Sequence, residues 1–108
     1  MELTDITAEI YEVSQRLGQA SKSLYKLGKE KAETERVYRT RLAQEILILR
    51  ADGMPVAMIA DVARGNIGDI MFQRDAADAK FRAALESLGA LQSQLSALQS
   101  ILRIQQDI

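Results

Sequence analysis

Seven cations and two tyrosines crowd one short stretch of the 108-residue chain: Lys22, Lys26, Lys29, Lys31, Arg36, Arg39 and Arg41, interleaved with Tyr25 and Tyr38. Lys22, Lys26 and Lys29 follow i, i+4, i+7 and share a helical face; Arg36 and Arg39 share another stripe. A cation beside an aromatic ring can hold a phosphate while the ring stacks on a base. The candidate ligand-binding residues are therefore Lys22, Tyr25, Lys26, Lys29, Arg36, Tyr38 and Arg39. The ligand class is a nucleotide signal or single-stranded nucleic acid. Glu30, Glu33 and Glu35 lie among these cations, and such mixtures also make solvated helix faces laced with local ion pairs.

Other chemistry has little to work with. The chain has no histidine, cysteine or tryptophan. Most nucleophile, general-base and metal constellations cannot be built without them. Asp69, Asp75 and Asp78 gather near the start of the last helical stretch, where acidic residues are more simply partners of the helix dipole. We expect no catalytic residue, no metal site and no cofactor. The formal net charge of −1 gives no whole-molecule attraction to nucleic acid or to an anionic membrane. No run approaches a membrane-spanning length, and Met1 to Asp5 does not open a signal peptide, so a cytoplasmic location is expected.

Two long helices must position the basic stretch. Ile6, Ile10, Val13, Leu17, Ala20, Leu24 and Leu27 are spaced 4, 3, 4, 3, 4, 3, which is a heptad seam. Thr4 is the expected N-cap. The seam then fails, because the same register would place Lys31, Thr34 and Arg41 inside. Gly53 and Pro55 stop the helix. A second seam runs through Ile70, Ala77, Phe81, Ala84, Leu88, Leu91, Leu95, Leu98 and Leu102, with Arg74 as its one break. The expected architecture is all-α and a single domain: helix 4–52, a linker with a short helix over 53–65, and helix 66–106 N-capped by Asn66. The long helices should form an antiparallel hairpin, with seam 6–27 opposite seam 84–102.

Further expectations concern contacts. From Ser87 to Leu102 no residue is charged, which suits a helix with neighbours on several sides. We expect a homo-oligomeric helical bundle, with Leu88, Leu91, Leu95, Leu98 and Leu102 at its interface. Gly18 and Gly89 should allow close helix approach, and Gly28 a bend. In the linker, Gly65 should close the short helix, and Val56, Ile59 and Val62 should tuck onto the hairpin end. Met54, Met58 and Arg64 would stay near the surface as a partner-binding tip.

The block from Tyr38 through RLAQEILILRADGMPVAMIADVARGNIGDIMFQRDAADAKFRAALE to LQSQLSALQSILR resembles a group of small helical coiled-coil proteins encoded by phages of Gram-positive bacteria. The likeness covers about residues 38–103 and rests on Arg50, Gly53 and Pro55, then Arg64 and Gly65. It implies a gene in a phage early or recombination region and a product in the host cytoplasm. It brings no catalytic residues.

Three functions follow as expectations. The first is a non-enzymatic oligomer that sequesters or docks onto a phosphate-bearing ligand, as in counter-defence. The second is a structural or adaptor coiled coil that contacts a host or phage protein through its tip. The third is a DNA-binding regulator. Against the third, Asn66 to Gln73 would be the recognition segment, and it holds Asp69 and no cation.

Overall fold

The computed structural model describes residues 2–107, and among these it is all-α, with three helices and no strand. Helix α1 spans Leu3–Ala51, α2 Val56–Asn66 and α3 Gly68–Gln106. Asp5 lies in the first turn of α1, where the dipole favours an anion. Thr4 is not the N-cap. The Ile6 N–H already donates to the Glu2 carbonyl at 3.1 Å, so helical bonding starts ahead of Thr4.

The end of α1 is a Schellman turn, as Gly53 leads one to expect. Gly53 has φ +81°, which an L side chain resists. Its N–H donates to the Arg50 carbonyl at 3.1 Å, and the Met54 N–H reaches the Leu49 carbonyl at 3.2 Å. Pro55 then caps α2, with φ −55° and ψ 132°. A second correction comes at the far end of α2. The helix runs through Gly65 to Asn66, and Ile67 departs from helical geometry only mildly, at φ −109° and ψ 26°. The Ile67 N–H still bonds the Ala63 carbonyl, and the Met71 N–H bonds the Ile67 carbonyl at 3.0 Å. The junction is therefore a bend around the buried Ile67, not a loop with Asn66 as cap. The Asn66 amide instead donates to Glu45 Oε1 at 2.8 Å.

Two compact units make up the chain: residues up to Lys26 with those from Arg82 onward, and Leu27–Phe81. In the first unit both expected seams face inward. Ile6, Val13 and Leu98 are buried, and Ile10, Leu17, Ala20, Leu24, Ala84, Leu88, Leu91, Leu95 and Leu102 are half-buried. Leu88, Leu91, Leu95, Leu98 and Leu102 thus serve the chain's own core, because the spacing that marks an interface also marks an internal seam. Gly18 and Gly89 approach nothing: a Cβ at either would have no neighbour within 4 Å.

In the second unit, Leu49, Ile59 and Ala63 form a small core, with Leu42, Ile46, Met54 and Val62 packed against it. Met54 is drawn in because the Schellman turn sets it beside Leu49. Val56 moves the other way: it does not tuck in but stands 82% exposed in the first turn of α2. Gly28 marks a close approach instead of a bend. The edge of the Phe81 ring lies 3.2 Å from where a Cβ would sit, and α1 stays helical through this point.

Candidate functional site

The seam does not fail over residues 29–41. It changes chemistry. Lys31, Thr34 and Glu35 are half-buried and Tyr38 is only 8% exposed. After Tyr38 the inward position slips by one residue, so that Leu42 is half-buried and Arg41 is exposed. Arg74, the one break in the second seam, faces this stretch. Its guanidinium carbon lies 3.9 Å from the centroid of the Tyr38 ring. Lys31 Nζ lies 3.0 Å from Asp78 Oδ1 and 5.0 Å from the Phe81 ring centroid. The irregularities of the two helices therefore meet in one polar layer.

The layer fixes the pairing of α1 and α3 within this unit. Glu30 pairs with Lys80 at 3.8 Å, Lys31 with Asp78, and Glu35 with Arg74 at 3.9 Å. As the number rises on α1 it falls on α3, so the pairing is antiparallel. A shift by one heptad would set Lys31 and Arg74 against apolar rows and forfeit the Lys31–Asp78 and Arg74–Glu35 pairs between the helices, leaving Arg74 only Asp75 on its own helix. Arg74 also donates to Asp75 Oδ1 from Nε at 3.1 Å and from Nη2 at 2.9 Å. Burial works against its charge, but the hydrogen bonds and charge of Asp75, then Tyr38, outweigh it and hold its pKa above the ordinary value.

Lys31, Glu35, Arg74, Asp75 and Asp78 line a cleft of about 280 Å³. Each of its cations is engaged by carboxylates of the same cleft, so an incoming anion would have to displace them. Among the described residues no group of three carboxylates is placed to hold a metal ion, and no buried side-chain polar atom lacks a partner. The chemistry present is that of a helix-register lock.

All seven phosphate candidates stand on α1, and all but the buried Tyr38 are exposed. Lys22, Tyr25 and Lys26 are exposed in the first unit; Lys29, Arg36, Tyr38 and Arg39 belong to the second. Arg36 is bound by Glu33 one turn earlier. Hydrogen bonding by Arg36, then its charge, lowers the Glu33 pKa, and Glu33 raises that of Arg36 in return. Arg39 Nε donates to Glu35 Oε1 at 2.9 Å. Tyr38 offers no face to a base, because Arg74 covers it. The arginines thus follow the solvated-face reading, while Lys22, Tyr25 and Lys26 remain open.

At the tip, Met58 and Arg64 are exposed as expected, and Arg64 lies 3.9 Å from Asp61. Four further apolar side chains are exposed in the same unit: Leu47, Ile48, Val56 and Phe72. Sequence reasoning missed these, and it missed Lys31, Glu35, Arg74, Asp75 and Asp78 as a group. The signal for the polar layer was present, since Lys31 and Arg74 each interrupt a seam at facing levels of an antiparallel pair.

No family model matches the chain, and no curated protein or solved structure is significantly similar to it. No described helix is long and apolar enough to cross a membrane.

Proposed function

We infer that this is a non-enzymatic helical adaptor that assembles with its own kind and docks onto a partner protein through its tip. The observation that carries the reading is the run of exposed apolar side chains between positions 47 and 72. Leu47, Ile48, Val56, Met58 and Phe72 are each more than half exposed. They stand on elements held by the Schellman turn and the Leu49, Ile59 and Ala63 core. Apolar groups concentrated on one ordered segment mark an interaction surface more often than scattered ones do. The resemblance to phage-encoded helical proteins would set such an adaptor in an infected cell's cytoplasm, beside early or recombination functions.

Self-assembly is supported by area. The chain exposes 7807 Å², against roughly 6,000 Å² for an ordinary folded monomer of 12.0 kDa. The excess, roughly 1,800 Å², is about twice what one standard interface takes from each partner.

The test is a comparison of two baits. The full chain and its Val56→Ser, Met58→Ser, Phe72→Ser variant are immobilised in parallel, and the bound proteins are identified. A partner held by the native chain and lost from the variant is expected; identical capture by both would refute the tip. The phosphate reading is kept as the second one because Lys22, Lys26 and the 79% exposed Tyr25 share a unit. A rise in melting temperature with cyclic nucleotides or oligonucleotides would favour it over the adaptor.

A further inference from the structure

The two faces of the first unit differ in charge along α1. Its segments continue the antiparallel helices α1 and α3, and their inward positions are 6, 10, 13, 17, 20, 24 and 84, 88, 91, 95, 98, 102. In an antiparallel pair, the residue following each inward position lies on the same side of both helices. On α1 these residues are Thr7, Tyr11, Ser14, Gly18, Ser21 and Tyr25. On α3 they are Leu85, Gly89, Gln92, Ser96, Gln99 and Arg103. Every one of them is exposed; Arg103 is the only charge among them, and Arg82, which opens the α3 segment of this unit, bounds the face at its other end. The opposite face carries Asp5, Glu9, Glu12 and Arg16 along α1, while its α3 half, from Ala83 to Ile101, is uncharged.

We propose that a second copy of this chain packs on the uncharged face, helix pair against helix pair, making a four-helix arrangement. This rests on the reading of the chain as one that self-assembles, and it names the surface. Three observations carry it. Tyr11 is 68% exposed and Tyr25 79%, with Leu85 also open, so the face holds large side chains of the kind enriched at interfaces. Gly18 and Gly89 both fall on it, and within the chain nothing comes near either. Each weakens its helix without an internal contact to offset it, and a closely approaching neighbour supplies that contact. The area also suffices: two helices about 36 Å long and together about 20 Å wide offer roughly 700 Å² per copy, close to what a standard interface takes from each partner.

The occupant is a copy of the chain because the face draws equally on both helices and does not repel its own image across a two-fold axis. A face of net charge would need an oppositely charged partner.

The experiment uses the full chain and two exposed double variants, followed by sedimentation and by circular dichroism. Ser14→Glu with Gln92→Glu puts charge on the proposed face. Ser23→Glu with Gln94→Glu puts the same charge on the opposite face. All three should keep the same helix content. The native chain and the opposite-face variant should self-associate alike, and the first variant should dissociate at least tenfold more readily. A native chain that stays monomeric at its highest soluble concentration overturns the proposal, as does equal behaviour of the two variants. Since this readout is mass and the tip test is partner capture, the two can fail independently.

Discussion

Replacing Arg74 by methionine keeps an unbranched stem in the seam and removes the charge that lies over Tyr38. The guanidinium sits 3.9 Å from the ring centroid, and the Arg74 side chain is 26% exposed, so the contact is largely shielded from water. At such a site a cation–π contact contributes between about 1 and 2 kcal/mol. The pair with Asp75 is a neighbour contact on the same helix and adds well under 1 kcal/mol. Arg74→Met should therefore cost about 1.5 kcal/mol in urea unfolding followed by circular dichroism. The same loss would arise from any damage to the seam, so the decisive quantity is the coupling with Tyr38→Leu. The Asp75 pair is present or absent irrespective of Tyr38 and cancels in the cycle. The double variant should lose about 1 kcal/mol less than the sum of the singles. A coupling within about 0.3 kcal/mol of zero would mean that the ring and the guanidinium merely adjoin, and the polar layer would lose its role as a lock.

Gly53→Ala should cost about 1 kcal/mol or more, because φ +81° is strained for alanine although the space there is open. Gly18→Ala and Gly89→Ala should each raise the thermal stability of the dilute chain, by up to about 1 kcal/mol, and weaken its self-association at high concentration. A gain in both would place these glycines away from any interface. Glu33 should titrate below the ordinary 4.5, because Arg36 binds its charged form. A depressed folded-state pKa stabilises above the unfolded value, and that contribution disappears as the pH falls through the lowered one. A carboxyl NMR titration of Glu33 with a midpoint at or above 4.5 would contradict the pair.

Periodicity made the helices and their seams legible. Ile6, Val13, Ala77 and Leu98 are buried where the 4, 3 spacing put them. Gly53 announced its turn because positive φ is a local demand of one residue. The misreadings share a cause: they concern what a residue meets across space. Lys31 and Arg74 looked like failures of two separate patterns, and only their juxtaposition turns them into one layer. Gly28 looked like the site of a bend, whereas Phe81 occupies the space beside it. Val56 fits an apolar pattern, yet the start of α2 leaves it outside, while the Schellman turn brings Met54 in. In the basic stretch, the i, i+3 and i, i+4 spacing of Glu33 with Arg36 and Glu35 with Arg39 was the better guide than the density of cations.

We propose that this chain works through helix surfaces that meet other proteins, its own copies first, rather than by holding a small ligand. Native mass spectrometry of the full chain from a single gentle preparation tests it most directly. The expected mass is that of two or more chains with no nucleotide attached. A single chain, or an assembly that carries a stoichiometric nucleotide, would contradict it.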